Sequence, residues 1–204
     1  TNVATFDAAP HTVTGFTATC ENPLYNVHGD FTYSGDSTAT QTSVGTKNMG
    51  LLASQFTNTN ANFSTVTFSI TDGYQSVVAP GAVIVTITEH GGEVNYDGQS
   101  HTVTGYDVAI SDPLYTESDF TFSGSASVSG TNAGSYPMTL TPDNFTNTNT
   151  NFDNVTFVIV DGTLKINPIT ATVTIVGANN TTDYDGQAHI VNGYEATAST
   201  DLTS

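Results

Sequence analysis

Tyr96-Asp97-Gly98-Gln99-Ser100-His101-Thr102-Val103-Thr104-Gly105-Tyr106 decides how the rest of this sequence is read. The same pattern stands earlier as Phe6-Asp7-Ala8-Ala9-Pro10-His11-Thr12-Val13-Thr14-Gly15-Phe16. It returns as Tyr184-Asp185-Gly186-Gln187-Ala188-His189-Ile190-Val191-Asn192-Gly193-Tyr194. Counted from Phe6 to Tyr96 and on to Tyr184, the spacings are 90 and 88 residues. The flanking sequence repeats as well. Asn22-Pro23-Leu24-Tyr25 pairs with Asp112-Pro113-Leu114-Tyr115, and Asp30-Phe31 with Asp119-Phe120. Phe56-Thr57-Asn58-Thr59-Asn60-Ala61-Asn62-Phe63 pairs with Phe145-Thr146-Asn147-Thr148-Asn149-Thr150-Asn151-Phe152. Matches of this length do not come from shared composition.

A period near 90 residues is too long for a solenoid coil of roughly 20–50. It suits a small β-domain that buries its own modest core. The expected segments are therefore 1–79, 80–169 and 170–204. In the second, Val83–Glu89 precedes the Tyr96 turn and reads as the opening strand. Thr170–Val176 is its counterpart in the third, which stops at Ser204 well short of a full period. The first segment has five residues before Phe6 and no such strand. The expectation is a window on a longer array, with both chain ends inside repeats. Ala79-Pro80-Gly81 and Asn167-Pro168 punctuate the junctions, and such short connections predict stiffly held neighbours.

Thr86-Ile87-Thr88 and Thr172-Val173-Thr174-Ile175 alternate with period two, the signature of a strand. Asp72-Gly73 and Asp161-Gly162 lie between apolar runs, where a tight hairpin favours Asp-Gly. No stretch sustains a 3.6-residue period, and one helical turn is expected around Thr141-Pro142-Asp143, where Pro suits the first helical position. Short strands with regular turns predict an all-β class: tandem Ig-like β-sandwich domains in a linear array.

Composition narrows the function. The chain has 19 acidic residues against two lysines, Lys47 and Lys165, for a net charge of −17. Phosphate backbones are bound by clustered Lys and Arg, so nucleic acid is an unexpected partner. Anionic lipid attracts basic segments, and no apolar run reaches the ~20 residues of a membrane helix; direct insertion of this segment is not expected. The 11 Phe and 9 Tyr, with many β-branched residues, argue against long disorder. The single Cys20 excludes a disulfide framework within the chain.

The Tyr-Asp-Gly-Gln-x-His-x-Val-x-Gly-Tyr motif, the Phe-Thr-Asn-Thr-Asn-x-Asn-Phe segment and the following Val155-Thr156-Phe157 run with its Asp-Gly turn resemble one family. It is the tandem Ig-like repeats of bacterial cell-surface proteins, of the MBG type found in large surface adhesins. The resemblance covers essentially the whole chain. The first copy departs from it, with Asp7-Ala8-Ala9-Pro10 where the pattern has Asp-Gly-Gln. The resemblance implies an extracellular stalk or adhesive array on the bacterial surface, and it does not imply catalysis.

Several residues are candidates for chemistry. His11, His101 and His189 each follow Asp7, Asp97 and Asp185 by four positions. An Asp–His pair is part of a hydrolytic triad, but a nucleophile and an oxyanion site are needed too. The alternative is a structural turn, closed by Asp and braced by His. Asn58/Asn60/Asn62 and Asn147/Asn149/Asn151 are alternate residues, which share a face of an extended segment. Amide and carboxylate oxygens are calcium ligands, so these six with Asp153 form a candidate calcium set. The competing reading is a loop stabilised by Asx turns. No other cofactor is expected. Tyr25, Tyr115, Phe31 and Phe120 suit sugar stacking, yet their repetition favours core packing. Three functions remain. The first is a structural spacer of a surface adhesin or fibre. The second is a filament of like chains joined by strand addition. The third is a module that binds host glycans or mucin. An enzyme is not expected, and neighbouring repeats of the same chain are the expected first partners.

Overall fold

The computed structural model describes residues 1–200, so positions 201–204 of the expected third segment lie outside the described residues. The first segment carries β1 (Asn2–Thr5), β2 (His11–Thr14), β3 (Phe31–Tyr33), β4 (Thr38–Gln41), β5 (Gly45–Asn48), β6 (Phe56–Asn58) and β7 (Tyr74–Val78). The second opens with β8 (Val83–Glu89), β9 (Gly92–Asn95), β10 (His101–Thr104) and β11 (Tyr106–Ile110). It continues with β12 (Phe120–Phe122), β13 (Ser127–Gly130), β14 (Gly134–Pro137), β15 (Phe145–Asn147), β16 (Val155–Val160) and β17 (Thr163–Asn167). β18 (Ala171–Gly177) and β19 (Tyr194–Thr200) follow. The fold is all-β and of sandwich type, interrupted by single-turn 3-10 helices at Ala53–Gln55, Glu117–Asp119 and Pro142–Asn144. The last is the helical turn expected from Pro142. Each short helix is closed by its third side chain reaching back: Leu52 N donates to Gln55 Oε1, Thr116 N to Asp119 Oδ2 and Thr141 N to Asn144 Oδ1.

Two compact units emerge from the contacts. Unit 1 holds Thr1–Val85, Ile110–Phe122 and Phe145–Phe157; unit 2 holds Thr86–Ala109, Ser123–Asn144 and Val158 onward. In unit 1 the sheets run β1-β7-β5, β2-β4, β3-β6 and β12-β15. In unit 2 they run β10-β13, β14-β17-β9 and β18-β19. The sheet β11-β8-β16 is made of strands that contribute residues to both. The pairings of the first segment recur in the second. β2 pairs β4 as β10 pairs β13, and Tyr33 faces Phe56 as Phe122 faces Phe145. β1 and β9 run parallel to β7 and β17. A parallel partner needs a long crossover, and nearly a whole repeat of chain supplies it.

One expectation is corrected. Asp161-Gly162 does not close a tight hairpin, because β16 belongs to the β11-β8-β16 sheet and β17 to the β14-β17-β9 sheet. It is a corner between sheets. Gly162 serves close approach: a Cβ there would lie 2.2 Å from the His90 carbonyl oxygen. Asp72-Gly73 likewise has no paired strand on its N-terminal side, since residues 66–71 are not a strand.

β8 shows how pattern becomes packing. Val83, Val85 and Ile87 are fully buried, and Glu89 follows them in phase at 4% exposure. Three aliphatic side chains at about 1.5–3 kcal/mol each are a large share of a small domain's driving force. Glu89 is held by two backbone donors, Leu140 N to Oε1 at 2.7 Å and Gly162 N to Oε2 at 2.8 Å. It thus satisfies two buried amides where chain segments turn. In the first segment Leu51 N, the counterpart of Leu140 N, donates to Asp72 at 3.0 Å, and Gly50 N donates to the same carboxylate at 3.0 Å. A carboxylate is kept, but it comes from the corner instead of the opening strand.

Glu89→Ala leaves both buried donors unpaired. At about 1–3 kcal/mol per orphaned group, the variant should lose roughly 2–5 kcal/mol in urea denaturation. A loss below about 0.5 kcal/mol would contradict the role assigned to this carboxylate.

Candidate functional site

The Asp–His pairs are local turns. Asp7 Oδ1 accepts from Ala9 N at 2.9 Å and lies 2.9 Å from His11 Nε2. Asp97 does the same with Gln99 N (2.8 Å) and His101 Nε2 (2.9 Å), and Asp185 with Gln187 N and His189 Nε2, both 2.9 Å. One carboxylate oxygen therefore closes an Asx turn and fixes the imidazole that begins the next strand. All six residues are partly or fully exposed. The turn requires a left-handed residue after Asp: Gly98 has φ 80° and Gly186 φ 74°. Ala8, where the first copy departs from the pattern, adopts φ 63°. The conformation is kept at the cost of placing a Cβ in the left-handed region.

The pKa shifts follow from these bonds. The carboxyls of Asp7, Asp97 and Asp185 are lowered, first by the backbone N–H and then by the histidine. Asp72 is lowered, first by Leu51 N, and Glu93 by Lys165 and then Asn167. His90 moves the other way. Its Nδ1 is 2.8 Å from the Thr104 carbonyl oxygen, the larger cause, and its Nε2 is 3.3 Å from Asp107.

The Asn segment is not the extended ladder expected. β6 and β15 end at Asn58 and Asn147, and the chain then curls through successive Asx turns. Asn58 Oδ1 accepts from Asn60 N (3.1 Å) and Tyr25 OH (3.2 Å), while its Nδ2 donates to the Asn60 and Phe63 carbonyls. Asn147 repeats this with Asn149 N (3.0 Å), Tyr115 OH (2.9 Å) and the Asn149 and Phe152 carbonyls. Asn60 and Asn149 each accept from the amide two residues on and donate to Asp30 and Asp119. Three amides thus do not project together. The oxygens of Asn58 and Asn147 already fill both lone pairs, so as calcium ligands they would have to give up these bonds. Asn62 and Asp153 are exposed. Among the described residues no group of three His, Cys, Asp or Glu converges.

Asn151 has a different partner. Its Oδ1 accepts from Val44 N at 2.8 Å, 107 positions away. Beside it, Phe152 meets Phe6 edge-on at 5.6 Å and Tyr115 at 5.2 Å. Phe152 is 2% exposed. The Val44 and Phe6 contacts lie within unit 1 and join the first sequence repeat to the Asn turn of the second. The aromatics weighed for sugar stacking go to the core: Tyr25, Tyr115 and Phe120 are buried and Phe31 packs on Phe56 and Phe68.

Residues 82–168 match the MBG domain. It is a domain found in bacterial surface proteins. No curated protein and no solved structure matches the chain. The matched segment runs from just before β8 to the Pro after β17. No helix among the described residues is long and apolar enough to cross a membrane.

Sequence reasoning missed Glu89, Asp72 and the Asn151–Val44 bond. Glu89 was legible in principle: it is the one charged residue in phase with Val83, Val85 and Ile87. The Asn151 contact joins distant positions and left no local signal.

Two outcomes follow. Ala8→Gly should stabilise the chain by about 1 kcal/mol, because Gly removes the left-handed Cβ penalty; a destabilised variant would show that the Ala8 methyl contributes packing instead. In urea midpoints measured from pH 2 to 9, the lowered carboxyls contribute stability above their ordinary values, 3.8 for Asp, and lose it as pH falls through the folded values. The raised His90 contributes fully below 6.5 and loses that contribution as pH rises through its folded value. Asp97→Asn should shallow the acid limb and His90→Gln the upper one; unchanged limbs would contradict both assignments.

Proposed function

We propose that this chain is structural spacer from a bacterial cell-surface adhesin or fibre, a linear run of Ig-like repeats that holds a binding module away from the cell. The MBG match supports a bacterial surface repeat. The observation that carries the spacer reading is the joint itself. Phe6 caps Phe152 while Asn151 holds the Val44 amide, so successive repeats are clasped by side chains as well as linked through Ala79-Pro80-Gly81. A buried aromatic edge contact is worth about 0.5–1.5 kcal/mol beyond its area, and the hydrogen bond adds about 0.5–1.5. That is enough to favour one inter-repeat orientation over many.

The acceptor end of the joint recurs. Tyr96 stands where Phe6 stands, and Ala133 where Val44 stands. They line a recess of about 370 Å³ with Asn132, Pro168, Ile169 and Ala171. Each repeat so offers an Asn-Phe turn on one side and an aromatic seat on the other, which is what an extensible array needs. The net charge of −17 keeps neighbouring stalks apart on an extracellular surface. No residue need carry catalysis in this role.

The test is small-angle scattering of the chain with Phe152→Ser and Asn151→Ala combined. The unmodified chain should fit one inter-repeat orientation, and the variant a broad ensemble with an unchanged strand signal by circular dichroism. A variant that fits the same single orientation, or an unmodified chain already broad, would overturn the stiff-spacer reading.

A further inference from the structure

The β11-β8-β16 sheet has one unguarded edge. All three of its strands lie within the matched segment 82–168. β16 has β8 as its neighbour on one side, and on the other it takes no backbone hydrogen bond among the described residues. An open edge is a template for a further strand, and native sheets blunt it with charge, proline or shortness. The other edges of this repeat follow that rule. β11 carries Asp107, β9 carries Glu93 and β14 carries Pro137. β10, β12, β13 and β15 have only three or four residues each. β16 has six, Val155-Thr156-Phe157-Val158-Ile159-Val160, with no charge, proline or glycine among them.

The strand is held firmly enough to serve as a template. Phe157 packs on Phe120 at 5.3 Å and on Phe145 at 5.5 Å, which fixes one face. The other face presents Val158 and Val160, 41% and 46% exposed. Alternate residues of a strand aim their N–H and C=O groups to opposite sides, so about three of the six are open to a newcomer. Just outside the two ends stand Asp153 and Asp161, both exposed. Neither carboxylate is engaged in a hydrogen bond or ion pair among the described residues. These charges choose the occupant. A second copy of the chain would bring the same two aspartates and a further charge of −17, which repel. A strand with basic ends meets an aspartate at each end instead.

We propose that the open edge of β16 captures an extended peptide segment of another protein, apolar at alternate positions and basic at its ends. The segment adds a strand beside β16. Main-chain hydrogen bonds supply affinity and alternate side chains supply register, with one set lying beside Val158 and Val160. Asp153 and Asp161 steer the basic ends and set how far the segment slides along the edge. The surface so gains a binding role beyond that of a spacer. The proposal does not depend on the spacer reading, and its test uses none of the joint residues.

The probe is a fluorescent peptide, Lys-Thr-Val-Thr-Val-Thr-Lys with both ends blocked, titrated with the full chain and followed by anisotropy. A second peptide of equal charge has proline in place of its central Thr-flanked valines, so it cannot pair as a strand. The first peptide should bind saturably and the proline peptide about tenfold more weakly or worse. Val158→Lys, at a half-exposed position, places a like charge on the edge; it should keep the strand signal by circular dichroism and weaken the first peptide about tenfold. Asp161→Asn should weaken it less, with the difference closing at high salt. Equal binding of the two peptides to the unmodified chain overturns the proposal, because the attraction is then only that of a polyanion for cations; this comparison holds even where a variant fails to fold. Absence of binding overturns it too. So does a doubled molar mass of the chain alone that Val158→Lys abolishes, which would give the edge to a second copy.

Discussion

The β8 slot is the constraint on which the rest of the structure depends. Where β8 is present, two flanking segments become strands, three aliphatic side chains leave water, and Glu89 ties down the corner at Gly162. In the first repeat nearly the same flanking sequence stands with no strand between residues 16–20 and 66–71 among the described residues. Its counterparts at 16–20 and 66–71 are irregular, although Val66, Phe68 and Ile70 keep the alternation of a strand. Local propensity therefore does not make these strands. β-propensity reports fit to a pleated, half-buried surface, and that surface is completed only by the central partner.

Around the slot, the two repeats solve the same local problems with the same atoms. A tyrosine hydroxyl and an asparagine amide organise each Asn turn, Tyr25 with Asn58 and Tyr115 with Asn147. An aspartate behind each turn, Asp30 or Asp119, accepts from the second asparagine. These polar groups sit at the rim of an aromatic core and leave few donors unpaired, which is how a chain with 37% hydrophobic residues can keep a fixed shape. The copies diverge at the corner carboxylate, Glu89 in one and Asp72 in the other. One shared buried donor, Leu140 N in one repeat and Leu51 N in the other, is satisfied by a carboxylate either way.

Much of this was legible beforehand. Repetition located the turns, period two located β8 and β18, and Pro142 located its helical turn. The all-β class followed from those features. The Asp-Gly pair at 161–162 misled, because a tight hairpin and a corner between sheets use the same residues for different reasons. At Gly162 the reason is the nearness of His90, a contact 72 positions away that no local rule encodes. The Asn segments misled in a similar way. Alternation suggested an extended face, but Asn side chains compete with the ladder by bonding their own backbone, and the competition wins once β6 and β15 lose their partners. The joint at Asn151 and Phe152 was invisible to sequence because it depends on how one repeat meets the next.

Amide hydrogen exchange on the chain alone tests the central claim most directly. Residues 155–160, paired to β8, should exchange slowly. Residues 66–71, of closely similar sequence, should exchange near the rate of an open loop. Equal protection of the two segments in the free chain would contradict the account.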